Sequence, residues 1–225
     1  MCDMLDEAAR RSRSSRGQTF SDFLEITICA LSGGAMEEQY LEIVKRYADG
    51  EKGKRAIDTL ASMFGELVSL MEDSQADILG DLYMGAITFG EHGQYFTPEV
   101  LADTMARIVG DGAGKTVSDP CCGSGRMLLS AAKINPNRLF VGQDLDARCV
   151  KMTAINLALN GLRGRVVWGN SLTLEQRLVY LTGFNGKGFI SVIQPDPIPE
   201  TPPQPSTPTV TPKDVADGQM SLFAT

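Results

Sequence analysis

Histidine is almost missing from this chain: His92 is the only one among 225 residues. That argues against a histidine-built metal site and leaves a single candidate for imidazole acid–base chemistry. Paired cysteine spacing is missing too. The five cysteines, Cys2, Cys29, Cys121, Cys122 and Cys149, are odd in number and form no Cys-x-x-Cys. Such usage suits reduced thiols in the cytoplasm better than a disulfide framework or a zinc site. No apolar run approaches the roughly 18 residues of a membrane span, so no membrane partner is expected. The start, Met-Cys-Asp-Met-Leu-Asp-Glu, has neither the basic residues nor the apolar stretch of a signal peptide. Excess positive charge is absent as well. A net charge of −7 speaks against coating nucleic acid by bulk electrostatics but leaves room for a local basic face.

What is present is enough apolar material, 43% of residues, to bury a core in one domain with appendages. Residues 1–18 carry Arg10, Arg11, Arg13 and Arg16 in a serine-rich setting and read as a flexible, basic arm, solvated or phosphate-contacting. Residues 19–92 read as helical. Phe20, Phe23, Leu24 and Ile28 form one stripe, Tyr40, Leu41, Val44 and Tyr47 a second. Ile57, Leu60, Met63, Phe64, Leu67 and Leu70 form a third, and 77–87 is a short fourth helix. Residues 93–194 read as an α/β domain. Thr97 is placed to N-cap a helix with Pro98 in its first turn and Leu101, Met105 and Ile108 on its apolar face.

The centre of that domain is Val117 to Leu129: a short buried strand ending at Asp119, a turn holding Gly123 and Gly125, and a helix with Met127, Leu128 and Ala131 on its apolar face. Strand, glycine turn and helix form the joint at which α/β proteins hold nucleotide-like ligands, because glycines admit the ligand and the helix start offers free N–H groups. Gly110 to Thr116 imitates a phosphate loop. However, Val109 stands where that loop needs a glycine, and the segment leads into a strand. A second strand, 139–144, ends at Asp144, and a helix of some fifteen residues follows. A third, 165–170, ends at Asn170, and a fourth is placed at 189–193. Strands alternating with helices imply a mostly parallel sheet with its ligand at the carboxyl ends, where Asp119, Gly123, Asp144 and Asn170 fall. Asp144 stands where dinucleotide folds place a ribose-binding acid. Leu128 occupies the place of their third glycine, which weakens a nicotinamide or flavin reading.

Gly93-Gln94-Tyr95-Phe96-Thr97-Pro98, Asp119-Pro120-Cys121-Cys122-Gly123-Ser124-Gly125, Gly142-Gln143-Asp144-Leu145-Asp146 and Gly169-Asn170-Ser171-Leu172, in this order, resemble motifs of the adenine-N6 DNA methyltransferases. The likeness is greatest to the modification subunits of type I restriction systems and their phage or plasmid relatives, and Asp77-Ile78-Leu79-Gly80 resembles the approach to those motifs. The resemblance implies a Rossmann-like, S-adenosylmethionine-dependent methyltransferase fold, shortened and preceded by a helical region. It implies Tyr95, Thr97 and Pro98 against the methionine part of the cofactor, and Asp119, Gly123 and Gly125 about its amine and sulfonium. It also implies Asp144 on the ribose hydroxyls and Asn170 at the adenine edge. The substrate implied is DNA with a flipped adenine.

The family's Asn/Asp/Ser-Pro-Pro-aromatic motif follows the fourth strand. Here Asp196-Pro197-Ile198-Pro199 is nearest by position, making Asp196 and Pro197 the catalytic candidates, and both the second proline and the aromatic are replaced. Thr201-Pro202-Pro203-Gln204 matches the double proline but also lacks the ring. A proline-rich linker that happens to contain these strings, in a catalytically silent modulator of a restriction–modification or clamp complex, is the competing reading. Eight of the eleven prolines fall between Pro195 and Pro212, so 195–225 reads as a disordered tail. Its end, Gln219-Met220-Ser221-Leu222-Phe223, resembles the peptide with which bacterial proteins dock on the DNA sliding clamp. A last strand left at a sheet edge invites pairing with a restriction–modification subunit or a second copy.

Overall fold

The computed structural model describes residues 1–74, 76–88, 96–112 and 114–195. These belong to one compact unit, Met1–Pro195; the rest of the chain, Asp196–Thr225, is a separate unit outside the described residues. Five helices come first: α1 (Cys2–Ser12), α2 (Arg16–Leu31), α3 (Glu37–Arg46), α4 (Ala56–Ser74) and α5 (Ile78–Tyr83), the last running into a π-helical turn, Met84–Thr88. Then follow α6 (Glu99–Val109), β1 (Thr116–Asp119), α7 (Arg126–Ile134), β2 (Leu139–Asp144), α8 (Ala147–Leu159) and β3 (Gly164–Asn170). β4 (Glu175–Phe184) and β5 (Gly188–Ile193) close the described chain. No described helix is long and apolar enough to cross a membrane.

The basic arm expected over 1–18 is instead helix α1 and the first turn of α2. Leu5 and Ala8 of α1 are fully buried, and the helix packs along α4 and α2. Two of the arginines expected to face water or phosphate are paired within the fold. Arg11 binds Glu7 at 2.6 Å and the Thr59 hydroxyl at 3.0 Å. Arg16 spans Asp6, at 2.5 and 2.6 Å, and the carbonyl of Ala86 at 3.0 Å. Composition suggested disorder; the apolar positions Leu5, Ala8 and Ala9 on one helical face outweigh it. The stripe read for α3 is turned: Ile43 and Tyr47 are buried while Leu41 is 45% exposed. Tyr47 is fixed by its hydroxyl, which donates to buried Asp22 at 2.7 Å.

The sheet order is β1-β2-β3-β4-β5. β1, β2 and β3 are parallel, as alternating strands and helices require. The parallel pattern stops there. β4, which the sequence reading passed over, runs antiparallel to β3, and β5 runs antiparallel to β4. Asn185-Gly186 supplies the hairpin turn, with Gly186 at φ 95°. The strand at 188–193 is therefore not a fourth parallel strand but the return of a hairpin, at the edge opposite β1. β1 is the other edge, which is why the strand expected to be buried has exposed Thr116 and Ser118.

Helix α8 packs on β2, β3, β4 and β5 with one side and on α2 with another. Enclosed in this way, it is apolar nearly all round, with Cys149, Val150, Met152, Ala154, Ile155, Leu157 and Ala158 at most 2% exposed. A single continuous core joins the N-terminal helices to the sheet.

Candidate cofactor site

Because β1, β2 and β3 are parallel, their carboxyl ends bring Asp119, Asp144 and Asn170 to one end of the sheet on neighbouring strands, about 4.8 Å apart per strand. Between β1 and α7 lies the glycine turn. The Gly125 amide donates to the Cys122 carbonyl at 2.8 Å, and the Cys122 amide donates to the Gln143 carbonyl of β2 at 2.9 Å. The turn is thus closed on itself and tied to the next strand. Gly123 adopts φ +56° and Gly125 φ +89°, a region side chains disfavour. A Cβ on Gly123 would also sit 3.2 Å from the Phe96 ring, and one on Gly125 3.0 Å from Thr153.

The Gly123 amide donates to Asp144 Oδ2 at 2.9 Å, and Asp144 Oδ1 accepts from the Asp146 amide at 2.9 Å. Each oxygen keeps a further lone pair for a ligand hydroxyl. Asp119 uses Oδ1 to accept from the Cys121 amide at 3.1 Å. Burial raises its carboxyl above the ordinary value, and the nearby charge of Asp144 adds to the rise. Asp119 lines the cleft at the turn, and Asp144 reaches the same turn from the next strand through the Gly123 amide. Asn170 turns its Oδ1 inward to accept from the Leu172 and Thr173 amides at 2.9 and 3.4 Å, leaving its Nδ2 to donate. The Cys122 thiol is pushed up strongly by burial and is a packing group, not a nucleophile.

The expected cap at Thr97 is displaced by one residue. Pro98 is the N-cap and Glu99 the first helical residue of α6, because the missing N–H of proline costs nothing at a helix start. The Thr97 carbonyl instead accepts from Arg126 Nη1 at 3.2 Å. Thr97, Asp119 and Gly123 line a cleft of about 70 Å³ with Phe96. Tyr95, Asp196, Pro197 and the Gln219 to Phe223 peptide lie outside the described residues.

Two groups that the sequence reading quoted but assigned no part in the site support this turn. Phe96 stacks on Tyr83 at 5.6 Å and 22°, and Tyr83 meets Phe20 at 5.6 Å, so an aromatic ladder runs from α2 to the turn. Two adjacent aromatics at 95 and 96 were its only signal. The second group centres on Asp77, the N-cap of α5, only 4% exposed. It accepts from the Gly80 amide at 2.9 Å, Asn156 Nδ2 at 2.8 Å, Arg126 Nε at 3.0 Å and the Ser124 hydroxyl. Arg126 also reaches Asp81 at 2.5 Å. Asp77 was legible only as the start of a short helix and of the approach to the motifs; apart from Gly80, its partners lie 47 to 79 residues away.

With this geometry in view, the comparisons with known proteins fall on the same stretch. The family described as N-6 DNA Methylase matches residues 74–185, from the approach to Asp77 through β4. The type I restriction enzyme MjaIX methylase subunit of Methanocaldococcus jannaschii is 29% identical over 149 residues, 58% of this chain and 26% of that protein. The MjaVIII methylase subunit of the same organism is 26% identical over 136 residues, 56% of this chain and 24% of that one. The type II restriction enzyme and methyltransferase RM.BcgI of Heyndrickxia coagulans is 24% identical over 148 residues, 57% and 22%. The chain spans about a quarter of the length of these curated relatives. No solved structure matches it significantly. Through residues 74–185, which hold the glycine turn, Asp144 and Asn170, the chain belongs to the N-6 DNA methylase family.

Proposed function

We propose that the chain binds S-adenosylmethionine at the carboxyl ends of β1, β2 and β3 and acts as a DNA methyltransferase at adenine N6. The observation that carries the reading is the placing of Asp119 and Asp144 at neighbouring strand ends around the glycine turn, Asp119 on the Cys121 amide and Asp144 on the Gly123 amide. Two neighbouring carboxylates at strand ends suit a ligand with an ammonium and a sulfonium, and the acid at the end of β2 suits vicinal hydroxyls. Asp119 would hold the amine, Asp144 the ribose hydroxyls and Asn170 Nδ2 a ring nitrogen of the adenine. Phe96, Thr97 and Pro98 would wall the methionine side together with Tyr95, with Gly123 and Gly125 allowing close approach. When bound, the cofactor supplies an electrophilic methyl on sulfur. The protein then has to hold the flipped base with its amine in line and exclude water. Asp196 and Pro197 are the residues proposed to hold that amine, and the DNA, a restriction–modification subunit and the sliding clamp are the proposed partners. The test is calorimetric titration with S-adenosylmethionine, followed by transfer of labelled methyl to unmethylated DNA. Binding without transfer, for wild type and Asp196→Ala alike, rejects the catalytic half.

One observation favours a second reading, a cofactor-binding modulator without transfer. β5 closes a hairpin with β4 at the sheet edge opposite β1 and its glycine turn, four strand positions or about 19 Å away at the usual strand spacing.

A further inference from the structure

Beside β1 runs a groove of about 580 Å³, within the size of ordinary ligand sites. Met105 and Val109 of α6, Met127 and Ala131 of α7 and Val117 of β1 line it, and Arg138 stands among its polar groups. Helix α6 is more apolar than its packing on α7 requires. It packs on α7 through Ala102 and Ala106, while Leu101, Met105, Ile108 and Val109 stay 43–79% exposed. Arg138 is 6% exposed and, among the described residues, its Nε is without a partner; Nη2 is taken up by Asp111 at 2.8 Å and the Gly112 carbonyl at 2.7 Å. An unpaired buried N–H of this kind is destabilising until an acceptor reaches it.

The edge of β1 adds a third observation. In a parallel ladder, alternate residues direct both backbone groups to the same neighbour. The Lys115 carbonyl accepts from the Leu139 amide at 2.9 Å, so Lys115, Val117 and Asp119 face β2. Thr116 and Ser118 therefore turn their N–H and C=O to the open side. Apolar walls, a lone guanidinium N–H and a row of backbone groups at strand spacing are met together by an extended peptide and not by a compact molecule. Antiparallel addition would bring the peptide's carboxyl end toward the amino end of β1, where Arg138 lies beside Leu139.

We propose that the β1 edge is an acceptor site for an extended strand of another polypeptide, apolar at alternate positions and ending in a carboxylate that meets Arg138. The groove shares Thr97, Asp119, Cys121 and Met127 with the cofactor cleft, so the added strand borders that site. The proposal does not depend on which cofactor is bound there.

The test uses the full chain and a labelled synthetic peptide alternating valine and threonine with a free C-terminal glutamate. The peptide is expected to bind wild type and to slow amide exchange at Thr116 and Ser118. Val109→Glu places a charge in the groove at an exposed position. Ser118→Pro removes an outward N–H that β2 does not use, a place where an edge strand tolerates proline. Each should weaken binding about tenfold or more, as the loss of one or two hydrogen bonds and apolar contacts implies. Amidation of the peptide's carboxylate should weaken it through Arg138, while ligand binding at the cofactor cleft, measured separately by calorimetry, is unchanged. Equal affinity for wild type and both variants, or no slowing of exchange at Thr116 and Ser118, overturns the proposal. So does a dimer of the chain alone in which those amides are already protected, since a second copy then holds the edge.

Discussion

On its inner flank the glycine turn leans on Asp77, whose carboxylate collects four donors, one from the turn and one from each of three helices. On its outer flank β1 ends the sheet with Thr116 and Ser118 exposed and apolar residues of α6 uncovered. The same dozen residues are overdetermined on one side and unfinished on the other. Burial accounts for the contrast. Inside, an unpaired polar group is costly, so each donor found an acceptor; only Asn156 Oδ1 is left without a partner in that cluster. Outside, water serves the edge until something replaces it.

The largest expected effect follows from breaking the inner flank. Asp77→Ala strands a buried guanidinium, a hydroxyl and an amide, and should cost about 3–5 kcal/mol in urea unfolding. A loss below about 1 kcal/mol would mean that the cluster relaxes without it. Next, Asp144→Ala removes the acceptor of the Gly123 amide and the proposed ribose ligand. S-adenosylmethionine affinity should fall by about 1.5–3 kcal/mol, roughly 10- to 100-fold, by titration. Gly123→Ala forces a side chain to φ +56° against Phe96 and should cost about 1–2 kcal/mol of stability.

Asp119 gives a pH signature. Its carboxyl is raised by burial and by Asp144, so the stability it contributes is complete below the unfolded value, about 3.9, and is lost as pH rises through the folded value. Asp119→Asn should therefore melt modestly higher than wild type at neutral pH, with the difference closing in acid. Cofactor affinity of the wild type should rise with pH through the same range, because a cation prefers the ionised form. Thermal melts and titrations across pH check both. The smallest effect belongs to the outer flank: Val109→Glu should leave stability within about 0.5 kcal/mol. A large loss there would show that the edge is already covered and would erase the contrast.

Legibility in the sequence followed the same division. Asp119, the glycine pair, Asp144 and Asn170 are visible because each is a local event: a residue type at a strand end or a turn. The helices α2 and α4 are visible because Phe20, Phe23 and Leu24, or Leu60, Met63 and Leu67, repeat at helical period. Strand β4 was missed although Asn185-Gly186 announces a hairpin, because its burial does not alternate cleanly and parallel strands had set the expectation. The Asp77 cluster was invisible for a different reason, since nothing local marks an aspartate that will meet Asn156 across 79 residues. The α1 arm was misjudged because four arginines outweighed Leu5 and Ala8 in composition, whereas in space Glu7 and Asp6 neutralise two of them.

The enclosure of α8 has a consequence for synthesis. Helix α2 leaves the ribosome with Phe20, Phe23, Leu24 and Ile28 ready to be buried, yet α8 begins only at Ala147 and the hairpin that completes its other wall ends at Ile193. Until then α1 and α3 can pack on α2, but the side of α2 that meets α8 stays uncovered. Contacts of such sequence separation slow folding and lengthen exposure to aggregation. The contacts that close the core between α2 and α8 therefore form only once Ala147 to Leu159 has been made.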